Sequence, residues 1–138
     1  MNRSIGAELC FVAIVCIGMA AQTEPVLTTV NVPKYPPLAR QARVEGIVKL
    51  VFTLWANAGE PTNVEVVSGH PLLKAVAMEN VKTWKFDNSA AVERKYEITF
   101  KYRLSGIEVA GRGRESVTFE SFHYVEVLTD PPELSVNY

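Results

Sequence analysis

Apolar and polar positions alternate in two different rhythms along this chain, and the change of rhythm marks its elements. Over residues 68–86 the rhythm is helical. Leu73, Ala77, Val81 and Trp84 follow one another at spacings of four, four and three, with Leu72 and Val76 widening the stripe. Lys74, Glu79, Lys82 and Lys85 fall mostly on the opposite, solvated side. Pro71 suits the first helical position, where its missing N–H removes a donor that would be unpaired anyway. The stripe ends in Trp84 and Phe86, two large rings that need a broad apolar floor. One helix does not bury them alone, so neighbouring strands must supply that floor.

The flanks have the period-two rhythm of strands. In residues 44–55, Val44, Val48, Leu50, Phe52 and Leu54 share one face, while Glu45, Lys49 and Thr53 point the other way. Residues 56–59 supply a turn with Gly59, and residues 62–67 return with Val64 and Val66 on the buried side. After a break at residues 87–91, Tyr96, Ile98, Phe100, Tyr102 and Leu104 line one face, with Lys95, Glu97, Thr99, Lys101 and Arg103 on the other. Residues 105–115, with Gly106, Gly111 and Gly113, read as a loop. Residues 116–128 read as one more strand, ended by Asp130-Pro131-Pro132. Upstream, residues 35–43 suit one or two helical turns. The pattern predicts an α+β fold with one main helix packed on a three- to four-stranded antiparallel sheet, solvated on its other face.

The beginning of the chain differs from the rest. Arg3 precedes an apolar run over residues 9–19 that ends in small residues before polar Gln22-Thr23-Glu24. That is the layout of a secretory signal peptide over residues 1–21, the alternative being an uncleaved membrane anchor. The run is shorter than the roughly 20 residues that a comfortable transmembrane helix needs. Both cysteines, Cys10 and Cys16, lie inside it, so the mature chain is expected to carry no disulfide or thiol chemistry. Residues 22–34, with Pro25 and Pro33, read as a tether. The net charge of −1, with 21% charged residues, gives no footprint for nucleic acid.

Candidate chemistry is sparse. His70 and His123 are the only histidines, and Ser68 beside His70 lacks the strained turn and oriented third group of a nucleophile. Two separated histidines form no recognisable metal set, so neither a metal nor a cofactor is expected. Glu45, Glu65 and Glu97 alternate with Lys49, Lys95 and Lys101 as a solvated face of cross-strand pairs rather than a catalytic dyad. Gly111-Arg112-Gly113-Arg114 reads as a mobile turn. No enzymatic activity is expected.

A set of short pieces, in order, carries a resemblance. Tyr35-Pro36-x-x-Ala39-Arg40, Glu45-Gly46-x-Val48, Gly59, Val66-Val67-Ser68-Gly69-His70-Pro71-Leu72-Leu73 and Trp84-Lys85-Phe86 resemble the TonB C-terminal domain family over residues 35–104. The resemblance implies a periplasmic domain at the far end of an energy transducer, which grips an outer-membrane receptor peptide by strand addition. It makes Tyr35, Pro36, Ala39, Arg40, Gly46, Val48, Gly59, Ser68, Gly69, Leu73, Ala77, Trp84 and Phe86 the structural fingerprint. Three features depart from the family. Ala58-Gly59 stands where Asp-Gly is usual, and the apolar run lacks the family's motor-engaging serine and histidine. The lead of residues 22–34 spans about 45 Å at full extension, too short to cross a periplasm.

In the family, the strand equivalent to residues 92–104 receives the partner peptide along a free edge. Here residues 116–128 are expected to fill that edge as an antiparallel return arm. The register pairs Lys101 with Glu120, Lys95 with Glu126, Leu104 with Val117, Tyr102 with Phe119 and Tyr96 with Val125, leaving His123 opposite Ile98. A partner would then use the new outer edge, the far edge at residues 62–67, or displace the last strand. Lys95, Glu97, Thr99, Lys101, Arg103, Phe122 and Tyr124 are the candidate partner-binding residues. The expected organisation is residues 1–21 signal or anchor, 22–34 tether, 35–104 domain, 105–130 loop and added strand, and 131–138 tail. Two readings result: a periplasmic interaction module for a receptor peptide or other envelope protein, or an inner-membrane-anchored transducer subunit whose spacer another protein supplies. A homodimer stays open, and membrane contact is expected only if the N-terminal run is uncleaved.

Overall fold

The computed structural model describes residues 24–134. The expected signal or anchor and both cysteines lie outside the described residues. In chain order the elements are β1 (Val26–Thr29), α1 (Pro37–Gln41), β2 (Gly46–Leu54), β3 (Thr62–Ser68), α2 (Pro71–Val81), β4 (Lys85–Asp87), β5 (Arg94–Leu104), β6 (Glu115–Ser121) and β7 (Tyr124–Thr129). Mixed α and β content is as the patterning implies, but the sheet is larger than the three or four strands expected. It has five strands in the order β3-β2-β5-β7-β6, and β1 and β4 form a separate two-stranded sheet.

The helix begins as its sequence dictates. Pro71 takes the first turn, and the His70 ring accepts a hydrogen bond from the Leu72 N–H at 3.1 Å, capping one of the orphan donors. Leu73, Ala77 and Val81 are fully buried, whereas Val76, expected on the stripe, is exposed. The helix also ends sooner than the stripe. Thr83 N–H bonds back to Asn80 and Trp84 N–H to Val81, short-range bonds that close the last turn. Trp84 therefore lies in the connection and Phe86 on β4, each buried, rather than on the helix itself.

β4 has a partner because the lead is more than a tether. Leu27 pairs with Phe86 and Val26 with Asp87. From there the lead runs across the core face. Asn31 accepts a hydrogen bond from the Asn80 side chain, and the Tyr35 ring meets Tyr102 edge-on at 5.5 Å. The core itself is Val48, Leu50, Phe52 and Leu54 of β2, Ile98, Phe100 and Tyr102 of β5, and Val125 and Val127 of β7, closed over by α2 and Trp84. Thr53, expected on the wet face, is also buried.

The C-terminal part corrects the expected sheet. Residues 116–128 are not one strand but the hairpin β6–β7, and β7 joins β5 parallel, not antiparallel. Lys101 stands beside Glu126 rather than Glu120, and Tyr102 beside Val127 rather than Phe119. The cause is a tight turn at Phe122–His123. The Ser121 hydroxyl accepts from the His123 N–H at 3.1 Å, and the Phe122 ring sinks into the core. Val117 and Phe119 still face the apolar side and Glu126 the wet side, so the alternation holds while the partner strand changes.

Candidate functional site: the β5 edge

β5 is bordered by β2 from Gly46 beside Tyr102 to Leu54 beside Arg94. Its other edge is taken in part by β7. Thr99 N–H donates to the His123 carbonyl and Ser105 N–H to the Thr129 carbonyl, both at 2.8 Å. Backbone groups point alternately to the two edges of a strand, so the odd-numbered residues of β5 address this side. β7 covers it from Thr99 to Leu104. Before Thr99 the cover changes from backbone to side chain. His123 Nδ1 lies 3.0 Å from the Glu97 carbonyl oxygen, and Nε2 lies 3.1 Å from a Glu24 carboxylate oxygen. Both neighbours are acceptors, so a ring nitrogen that carries a proton donates to the one it faces.

Phe122 completes this end. Its ring lies 5.3 Å from that of Phe86, 5.7 Å from Tyr96 and 6.4 Å from Phe52, edge to face in each case. Phe122, a candidate partner-binding residue by its sequence position, is buried in the core. Among the other candidates, Lys95 and Glu97 are exposed beside the turn, and Thr99 and Lys101 are half-buried against β7. Arg103 is exposed and pairs with Glu126 at 3.1 Å, while Tyr124 is half-buried on the wet face. An exposed pair of this kind stabilises by only about 0.2–1 kcal/mol.

The far end of the hairpin is held by a cluster that sequence reasoning did not assemble, although it named several of the members for other reasons. Asp130 is buried and accepts from the Ser105 hydroxyl at 2.5 Å, the Arg114 N–H at 3.1 Å and Arg114 Nε at 3.2 Å. Arg40, of the Tyr-Pro-x-x-Ala-Arg piece, donates from Nε to the Asp130 carbonyl at 2.6 Å. Gly113 lies against the same carbonyl and Arg40, so the loop read as a mobile turn is packed there. Tyr35 ties this end to the core through bonds from its hydroxyl to the Val44 carbonyl and from its N–H to Glu115. Burial, with Glu45 nearby, pushes the Tyr35 hydroxyl up to about 12. Tyr102 is raised further, chiefly by burial.

The Asp130 carboxyl is lowered from its usual range, first by the Ser105 hydroxyl and then by Arg114, against the effect of its burial. A carboxylate whose folded value is depressed contributes stability above its unfolded value of about 3.9, and that contribution is lost as pH falls through the folded value. Urea midpoints measured from about pH 5 to about pH 2 should therefore fall less steeply for Asp130→Asn than for the parent. Equal slopes would show that the carboxylate is not held as described.

Among the described residues, no group of three or more His, Cys, Asp or Glu side chains could hold a metal. No helix among them is long and apolar enough to cross a membrane. What the geometry defines is a domain of mixed α and β content in which β7 pairs with the outer edge of β5. Residues 31–104 match the family model of the Gram-negative bacterial TonB protein C-terminal, and the chain belongs to that family. It is also similar to Protein TonB from two strains of Xanthomonas campestris pv. campestris, B100 and ATCC 33913. Each is 37% identical over 91 residues, which cover 64% of this chain and 34% of the relative. The match thus spans about a third of the length of these relatives. β6 and β7 lie beyond the residues that match the family model.

Proposed function

We propose that this chain is a periplasm-facing protein-interaction domain that binds an extended segment of an envelope protein by strand addition, in energy-coupled transport across the outer membrane. An outer-membrane receptor peptide is the foremost partner. The observation that supports the reading is β7 itself: the β5 edge takes a strand from outside the family segment and holds it through backbone bonds over six residues. Backbone recognition sets the orientation of an added strand, and alternate side chains set its specificity. No catalytic step is part of this reading.

The test is a titration of the full chain with synthetic peptides copying the periplasm-facing N-terminal segments of outer-membrane receptors, followed by amide hydrogen exchange. A bound strand should slow exchange at an edge of the sheet, at Lys95 and Glu97 on β5 or along β3 or β6. If every such peptide leaves exchange at all three places unchanged, the reading fails.

A further inference from the structure

We propose that the β6–β7 hairpin is an exchangeable internal ligand, occupying the very surface that an incoming partner strand takes. The inference rests on the strand-addition reading and fixes where on the sheet the partner docks. The hairpin joins the sheet through β7 alone, and a loop with three glycines connects it to β5. Its hold on β5 is short. β5 has 11 residues, and β7 pairs with only the six from Thr99 to Leu104. Beside residues 95–98 the turn supplies side chains in place of a strand: the buried Phe122 ring and the His123 contact to the Glu97 carbonyl.

A strand that continues straight past this turn gains backbone bonds at Lys95 and Glu97 that the turn does not make. It can begin there and peel β7 away from its Tyr124 end. The polar contacts it must break at that end are weak ones, the buried Asp130 carboxylate with its Ser105 and Arg114 donors lying at the far end, past β7. The Arg103–Glu126 pair is largely solvated, and the Glu24–His123 bridge lies near the surface. The substantial loss is apolar, from Val125, Val127 and Phe122, and the same pockets tell what must replace them.

The partner is therefore a peptide running parallel to β5. It carries β-branched residues at two alternate positions, in place of Val125 and Val127, with a carboxylate between them beside Lys101 and Arg103. An aromatic residue, two or four positions earlier on the apolar face, fills the space of Phe122 between Phe86 and Tyr96. The hairpin fills the same pockets with its own residues, Phe122 reaching its space through the turn, and exchange is then a competition between one strand inside the chain and one outside. When a binding-competent state is only fractionally populated, apparent affinity falls by that fraction, so loosening the hairpin should strengthen binding.

The experiment uses the full chain with Cys10→Ser, Cys16→Ser, Lys101→Cys and Glu126→Cys. The last two positions are neighbours across the parallel pair, within disulfide reach of each other. The probe is a labelled synthetic peptide copying residues 121–130 with Ser121→Phe and Phe122→Ser, which sets the aromatic four positions before Val125 on the apolar face. The reduced chain should bind it, the oxidised chain should not, and reduction should restore binding. Phe122→Ala in the full chain should bind roughly tenfold more tightly than the parent, and the milder His123→Ala should shift the same way by less. Equal binding to oxidised and reduced chains overturns the exchange, because the probe then sits on β3 or β6, while strand addition stands. No binding to the reduced chain or to either hairpin variant also overturns it, and the receptor-peptide titration still decides partner recognition separately.

Discussion

Replacing Trp84 with alanine should lower the stability of this domain by about 3–5 kcal/mol, against a total of roughly 5–15 kcal/mol for a small domain. The indole is fully buried, with rings from both sheets against it. Its ring lies 5.9 Å from Phe100 on β5, 6.1 Å from Phe119 on β6 and 6.3 Å from Phe86 on β4. Its N–H donates to the Asn80 side chain at 2.8 Å, and Asn80 in turn donates to the Asn31 carbonyl of the lead. Truncation thus opens a cavity and also leaves the Asn80 acceptor without its donor. Lys85→Ala, one residue on and exposed, should be nearly neutral. Urea denaturation of the three chains decides the matter, and equal midpoints for Trp84→Ala and the parent would show that the indole does not join the two sheets as described. Trp84→Phe should fall between, keeping much of the ring contact while losing the N–H donor.

Much of this arrangement was legible in the sequence, because a half-buried element writes its period into the chain. The β2 and β5 alternations and the Leu73-Ala77-Val81 stripe identify their buried faces, Thr53 apart. Trp84 shows where that logic ends. It continues the stripe at a spacing of three, yet the helix has closed at Val81, since Phe86 finds a strand partner in Leu27. That partner lies almost 60 residues earlier, in a segment whose prolines pointed to a tether. Pairing over such a distance leaves no local trace.

The β6–β7 turn was hidden for a related reason. Tight turns announce themselves through Gly, Pro, Asn or Asp, and this one is built on Phe122 and His123. Phe122 accepts the turn because its ring is buried against Phe52, Phe86 and Tyr96, a tertiary gain that alternation does not record. Read without the turn, residues 116–128 look like one strand, and one strand returning from a loop pairs antiparallel. With the turn, the hairpin reverses once more and β7 arrives parallel. Asp130 is similar. Before two prolines it reads as a strand terminator, and its carboxylate acquires a role only when Ser105 and Arg114 are brought to it.

Gly69→Ala should destabilise by about 3 kcal/mol, from two causes that a double mutant separates. Gly69 links β3 to α2 with φ of +151°, a region that residues with a Cβ avoid at a cost of roughly 1–3 kcal/mol. A Cβ placed there would also lie 2.9 Å from Val48 Cγ2 and 3.2 Å from Val48 Cγ1. Val48 is fully buried on β2, so relieving the contact displaces a core strand, an overpacking cost of roughly 1–3 kcal/mol. The close approach brings the start of α2 down onto β2, with His70 as its cap and Leu73 as the first buried residue of its stripe. In a Val48→Ala background the crowding term should largely vanish and the backbone term remain. Gly69→Ala should then cost less than in the parent, by the amount of the crowding. Thermal or urea denaturation of the parent, the two single variants and the double variant gives the coupling. A Gly69→Ala chain as stable as the parent would mean that the turn into α2 does not hold the conformation described. Strictly additive costs would mean that Val48 does not confine the glycine.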